Sequence, residues 1–231
     1  MKAAILAGGY GKRLRPLTTE KPKPLVEVAG KPILVWQIEW LKKHGINEIV
    51  LLVGYLKEKI IEYIGSGSKF GVKVTYIVED KPLGTGGAIK NSEHVLSSEE
   101  SFIVVNGDII TNLDPMKLLD PIKKGEAIAT IAAVPLPSPY GILRIRDDNS
   151  IEAFIEKPVL KEYWINAGVY AMTPEVFKYL PEKGDIERKG FPELAKMMKL
   201  KAVRYEGVFW RSIDTHKDIE EASREVPKIF G

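Results

Sequence analysis

The chain contains no cysteine, which excludes disulfide bonds and thiolate chemistry. No apolar run approaches the length needed to cross a bilayer, so no membrane partner is expected. Met1 leads directly into an apolar strand, so no secretory leader is expected, and a cytoplasmic location is the expectation. Neither sign of charge dominates: 34 basic against 31 acidic residues leave a net +3, too slight to argue for a nucleic-acid-binding surface. There is no Pro/Gly/Ser-rich linker and no hexapeptide repeat, so no appended β-helix domain is expected. The 231 residues, 45% of them apolar, suit one large α/β domain or two small ones with an ample core.

The basic residues that are present concentrate near the start. The strand Ala3–Leu6 runs into Ala7-Gly8-Gly9-Tyr10-Gly11-Lys12-Arg13-Leu14-Arg15-Pro16-Leu17-Thr18, and Lys21-Pro22-Lys23-Pro24-Leu25-Val26 follows at once. Glycines let backbone N–H groups approach an anion, and the cations neutralise it, so this loop reads as a polyphosphate cradle. Two familiar phosphate motifs do not fit. A P-loop needs Gly five positions before Gly11, where Leu6 stands, and Ser or Thr after Lys12, where Arg13 stands. The dinucleotide fingerprint needs a small residue at Leu14.

The elements alternate. A helix begins at Pro32 and runs to about Lys43, with Ile33, Trp36, Gln37, Trp40 and Leu41 on one stripe and His44-Gly45 as its stop. Glu48–Val53 reads as a strand, Leu56–Ile64 as a helix, Val72–Val78 as a strand, Gly86–Leu96 as a helix and Phe102–Asn106 as a buried strand. This order predicts a mostly parallel sheet with helices on both faces. After Pro115 the pattern changes to strands with hairpin-length links: Ala127–Val134, Ile142–Arg146, Ile151–Glu156 and Trp164–Met172, with a turn at Asp147-Asp148-Asn149-Ser150. Two helices close the chain, near Gly190–Met198 and Lys217–Val226.

Gly8-Gly9-x-Gly11-x-Arg13-Leu14-x-Pro16-x-Thr18, followed by Lys23-Pro24-Leu25-Val26 and Lys31-Pro32-Ile33-Leu34, resembles the opening of the sugar-1-phosphate nucleotidyltransferases. The resemblance implies a Rossmann-like, three-layer α/β/α fold with a mostly parallel mixed sheet. It implies one nucleotidyltransferase domain over residues 1–231, with a nucleotide-binding half in 1–114 and a sugar-phosphate-binding half in 115–231. The implied reaction joins an NTP and a sugar 1-phosphate into an NDP-sugar and releases pyrophosphate, with Mg²⁺ as cofactor.

Residue by residue, the resemblance assigns Leu6, Ala7, Gly8, Gly9, Gly11, Lys12, Arg13 and Lys23 to nucleotide binding, with Arg13 and Lys23 on the β and γ phosphates. It assigns Gly84, Thr85 and Gly86, within Glu79-Asp80-Lys81-Pro82-Leu83-Gly84-Thr85-Gly86-Gly87-Ala88, to the base. Small residues there would let a flat base lie against backbone. Asp108, in Val105-Asn106-Gly107-Asp108, would bind Mg²⁺, which prefers one or two carboxylates plus phosphate oxygens. The family commonly places a second metal-binding aspartate in a W-x-D-x-G-T pattern. Here Trp210-Arg211-Ser212-Ile213-Asp214-Thr215 puts Ser212 at that position, and the role passes to Asp214, two residues on. Asn106, Gly141, Glu156, Lys157 and Asn166 would line the sugar-phosphate pocket.

A phosphate nucleophile is already anionic and needs no general base, so His44, His94 and His216 receive no catalytic role. Catalysis would rest on positioning and charge neutralisation by Arg13, Lys23 and Asp108. The nucleotide stays open among GTP, UTP, dTTP and CTP. Pro82–Ala88 resembles the loop of mannose- and heptose-1-phosphate guanylyltransferases, the bare length is similar to that of N-acetylmuramate-1-phosphate uridylyltransferases, and the Asp214 arrangement resembles cytidylyltransferases. Two other readings share features: a phosphocholine-type cytidylyltransferase, through the N-terminal loop and Gln37–Lys42, and a non-catalytic NDP-sugar-binding regulator, through Ser212. The resemblance leaves a homodimer open and sets no oligomeric state.

Overall fold

The computed structural model describes residues 1–230. Seven strands form one sheet: β1 (Lys2–Ala7), β2 (Glu48–Val53), β3 (Lys73–Val78), β4 (Phe102–Asn106), β5 (Ala129–Pro137), β6 (Val159–Met172) and β7 (Leu200–Arg204). Their spatial order is β7-β5-β6-β4-β1-β2-β3. All pairings are parallel except those of β6, which runs antiparallel to β4 and β5. The expected mostly parallel mixed sheet is therefore present, and it takes strands from both halves of the chain.

The continuous apolar runs follow from coverage on both faces. Along β1, Ala3, Ile5 and Ala7 enter one core while Ala4 and Leu6 enter the other; β2 splits likewise, with Ile49, Leu51 and Val53 opposite Val50 and Leu52. Helices α1 (Ile33–Lys43) and α2 (Lys57–Ile64) cover the first face through Leu34, Ile38, Leu41, Ile60 and Ile64. Helices α3 (Gly84–Asn91) and α4 (Gly190–Lys196) cover the second through Ile89 and Leu194. Each fully buried Ile or Leu contributes about 1.5–3 kcal/mol. A third cluster joins the last helix, α5 (His216–Phe230), to the N-terminal loop: Ala222 and Val226 pack with Leu14, Val26 and Ile213.

The expected helix Gly86–Leu96 is two helices, α3 and a short turn Glu93–Leu96. They part at Ser92, whose hydroxyl donates to the Ile89 carbonyl at 2.6 Å, a local bond that competes with the helical ladder. The second half is also not a row of hairpins. Strands β5 and β6 extend the main sheet, and β7, which the sequence pattern did not mark, forms its outer edge beside β5. Of the four strands expected there, Ile142–Ile145 and Ile151–Ile155 leave the main sheet and form a two-stranded ribbon. Its expected turn is present: Asp148 accepts from the Ser150 N–H and hydroxyl, and Asn149 takes φ +64°. No helix among the described residues is long and apolar enough to cross a membrane.

Candidate active site

The candidate site lies at the carboxyl ends of β1 and β4, where open α/β sheets bind ligands. The two strands are neighbours, with Leu6 opposite Asn106. Beyond them, Gly107 N–H donates to the Leu6 carbonyl at 3.1 Å. A Cβ at Gly107 would collide with that carbonyl, so glycine is required for the loops to lie together. The N-terminal loop is shaped by Gly11, at φ +59°, whose carbonyl accepts the buried Thr18 hydroxyl at 2.8 Å. A short 3-10 turn, Lys12–Leu14, then sinks Leu14 into the core and leaves Arg13 exposed.

Four charged side chains meet here. The Lys23 ammonium contacts Asp108 Oδ2 and Asp214 Oδ1, each at 2.7 Å. Arg13 reaches the same Asp214 oxygen at 2.7 Å, and the Ser212 hydroxyl donates to the other at 2.9 Å. Asp214 comes to Asp108 because Trp210–Ser212 pairs antiparallel with Ile109–Thr111 and Ile213 N–H donates to the Asp108 carbonyl at 2.9 Å. Burial raises the Asp214 pKa, but the Lys23 hydrogen bond and charge, the Ser212 hydroxyl and the Arg13 charge outweigh it and hold the carboxyl below its ordinary value. Two carboxylates converging on one cation are a donor set of the kind Mg²⁺ takes when phosphate oxygens supply the rest. No cluster of three or more His, Cys, Asp or Glu capable of holding a metal occurs among the described residues.

Two cavities open around these groups. One, of about 240 Å³, is lined by Leu6, Ala7, Gly9, Gly11, Lys12, Arg13, Lys23, Asp108 and Asp214, among others. The second, of about 280 Å³, carries Gly8, Glu79, Gly84, Thr85, Asn106 and Asp185. Leu6, Gly9, Gly107 and Asp108 line both, so they are two ends of one cleft. The first end is rich in cations and the second holds a carboxylate, Glu79, whose pKa is raised by burial despite a hydrogen bond from Leu83 N–H. Gly8 and Gly54 make room for it: a Cβ at either would fall within 2.7 Å of Glu79 Oε1. The sequence singled out the loop that starts at Glu79 but gave that residue no role. Its signal was a carboxylate at a strand's carboxyl end.

Gly84 and Thr85 line the second cavity, whereas Gly86 is buried and is not among its lining residues. The close approach at these glycines is made by another segment of the chain. A Cβ at Gly84 would lie 2.7 Å from Gly184, one at Gly86 2.8 Å from Pro181, and one at Gly87 2.7 Å from the Glu182 carbonyl. Gly86 and Gly87 N–H both donate to the Gly184 carbonyl, at 2.9 and 3.1 Å. Among the sugar-side residues, only Asn106 lines the cleft. Gly141, Glu156 and Lys157 sit on or beside the ribbon, where a Cβ at Gly141 would come within 3.0 Å of Glu156 Oε2. Lys157 contacts Glu156 at 3.4 Å, both side chains exposed. Asn166 donates to the buried Tyr170 hydroxyl at 2.9 Å and accepts from Gly168 N–H at 2.8 Å.

Cations, paired carboxylates and a separate carboxylate thus line one cleft at the carboxyl edge of a mostly parallel α/β sheet. Residues 2–229 match the nucleotidyl transferase family, and the chain belongs to it. It is 40% identical over 225 residues to the mannose-1-phosphate guanyltransferase of Yarrowia lipolytica, and 41% identical over 228 residues to that of Saccharomyces cerevisiae. Each match covers 94% of this chain, which spans 62% of the length of either relative. Among solved structures, HddC from Yersinia pseudotuberculosis superimposes with a TM-score of 0.76 at 30% identity, covering 97% of this chain and 99% of that one. The same HddC complexed with GMP-PN gives a TM-score of 0.72 over the same shares.

Proposed function

We propose that the protein is a sugar-1-phosphate nucleotidyltransferase that takes GTP and a manno-type sugar 1-phosphate. The observation that carries this reading is the meeting of Lys23, Arg13, Asp108 and Asp214 at one end of a cleft whose other end holds Glu79. A phosphate oxygen of the sugar 1-phosphate attacks the α-phosphorus of GTP in line. The new P–O bond forms as the bond to pyrophosphate breaks, and the electron pair leaves on pyrophosphate. Arg13 and Lys23 neutralise the leaving group, and the loop backbone from Gly8 to Gly11 orients the phosphates. Mg²⁺, held by Asp108 and Asp214, would supply further charge neutralisation on those oxygens.

Guanine is favoured by the chemistry of the far end. Its N1–H and N2–H₂ donors lie on one edge and suit a carboxylate with two acceptor oxygens. Uracil and thymine offer one N–H between two carbonyls, and cytosine sets a ring acceptor beside its amine. The mannose-1-phosphate guanyltransferases among the relatives point the same way. Residues 1–231 would act as one domain, the parallel half taking the nucleotide and the later half, with Gly141, Glu156, Lys157 and Asn166, taking the sugar phosphate.

The test is pyrophosphate release over a matrix of four NTPs and several sugar 1-phosphates, with Mg²⁺ or with EDTA. GTP with mannose 1-phosphate and Mg²⁺ should be turned over best. Turnover of CTP with phosphocholine, or NDP-sugar binding without turnover of any pair, would replace this reading.

A further inference from the structure

We infer that Gln37 is a positioning residue for the Asp108 turn and holds that carboxylate in place to take up a divalent cation. This rests on the reading of Asp108 and Asp214 as metal ligands. Gln37 lies on α1 and is 2% exposed. Its Nε2 donates to the Asn106 carbonyl at 2.8 Å and to the Ile109 carbonyl at 2.9 Å. These residues flank Gly107-Asp108, so one amide staples both ends of the turn. Carbonyls only accept, so the amide nitrogen must be the atom that faces them.

The other end of the amide argues against a packing role alone. Gln37 Oε1 is buried with no partner. A buried, unpaired acceptor costs stability, and the amide that carries it supplies the donor for the Asn106 and Ile109 carbonyls, which an apolar side chain of the same length would remove. The staple also acts where regular structure ends. Strand β4 stops at Asn106 and the next short strand begins at Ile109, so the amide spans the break between them, which the Gly107 N–H bond to Leu6 and the Ile213 N–H bond to the Asp108 carbonyl also hold. The same helix fixes the segment that carries Lys23: Trp36 Nε1 donates to the Val28 carbonyl at 2.9 Å, and Ile33 N–H to the Val26 carbonyl at 3.0 Å. Cation and carboxylate are thus referred to adjacent positions on one rigid element.

Gln37→Met removes both donors and keeps the volume. Trp40→Phe is the control, since it removes one hydrogen bond from the same helix to Leu113, beyond the turn. Two readouts are compared: the Mg²⁺ concentration for half-maximal turnover, and the metal-dependent Tm shift, measured as GTP with Mn²⁺ against GTP with EDTA. In Gln37→Met the Mg²⁺ requirement should rise about tenfold, the scale of losing a group that orients a metal ligand. The metal-dependent Tm shift should shrink, while Trp40→Phe changes neither. An unchanged metal requirement in Gln37→Met, or an equal change in Trp40→Phe, overturns the inference. Should Gln37→Met not fold, Gln37→Asn keeps the amide on a shorter stem; wild-type metal dependence there overturns it equally. A Tm shift absent from the wild type, or retained in Asp108→Asn, overturns the metal-site reading itself and is distinct from those results.

Discussion

Replacing Lys23 by methionine should cripple catalysis and at the same time improve the binding of a divalent cation in the absence of nucleotide. Lys23 is the shielded cation of the site: its side chain is 14% exposed, against 72% for Arg13. Methionine keeps most of the stem and removes the charge. Two charge-assisted hydrogen bonds are lost, each worth about 1.5–3 kcal/mol at most. Asp214 keeps Arg13 and Ser212, and both aspartates stay partly open to water. The net loss of stability should therefore be about 1–3 kcal/mol. The pH dependence has a definite sign. A carboxyl whose folded pKa is depressed adds stability above its unfolded pKa and loses it as pH falls through the folded value. Asp214 is such a group because of Lys23. The gap between wild type and variant should be widest near neutrality and close below about pH 4.

Without the ammonium, Asp108 loses its cation partner and Asp214 is left with the exposed Arg13, so an added cation meets a weaker competitor. A ligand present at a hundred times its Kd stabilises by about 2.7 kcal/mol, so saturating Mg²⁺ should restore much of the loss. The assay is thermal unfolding with and without Mg²⁺, alongside pyrophosphate release. Turnover should fall at least about a hundredfold, the scale of removing one preorganised electrostatic group. A Tm gain from Mg²⁺ no larger in Lys23→Met than in the wild type would refute the idea that ammonium and metal share these carboxylates.

Asp108→Asn should lower kcat by about a hundredfold or more, and unchanged turnover would remove Asp108 from the site. Asp214→Ala should raise the Mg²⁺ requirement and cripple turnover, while Ser212→Ala, which deletes only a hydrogen bond to Asp214, should cost far less; the reverse ranking would give the metal to Ser212. Glu79→Gln should raise the KM for GTP about tenfold or more, since one charge-assisted bond is weakened, and leave the KM of the sugar phosphate unchanged. Equal effects on both substrates would move Glu79 out of the base end. Lys157→Ala should raise the sugar-phosphate KM and leave calorimetric GTP binding intact; the opposite split would reverse the assignment of substrates to halves.

The sheet and the phosphate end were legible because their signals are local. A strand followed by glycines and cations can be read in one window, and Arg13, Lys23 and Asp108 do converge on the cleft with Asp214. What the sequence hid depends on partners far along the chain. Strand β7, Leu-Lys-Ala-Val-Arg, is a short edge whose residues alternate only weakly in burial, and it is defined by the strand beside it. Gln37 reads as one polar residue on an apolar stripe until the carbonyls of Asn106 and Ile109, about seventy residues on, are placed against it.

The loop Gly84–Gly87 has a structural reason for its glycines beyond the one its sequence suggested. Three glycines around one threonine suggested a surface cleared for a flat base. Gly84 and Thr85 do line the cleft, but the segment from Pro181 to Gly184, through its backbone and the Pro181 ring, occupies the space that Cβ atoms at Gly84, Gly86 and Gly87 would need. The Thr85 hydroxyl is turned the same way, donating to Glu187 at 2.6 Å and accepting from Ile186 N–H at 3.0 Å. The glycines therefore join the first half of the chain to the later half, and the end of the cleft proposed for the base inherits its shape from that joint. A substitution at Gly86 would act on the base by moving the 181–187 segment, whereas one at Glu79 would act on it directly.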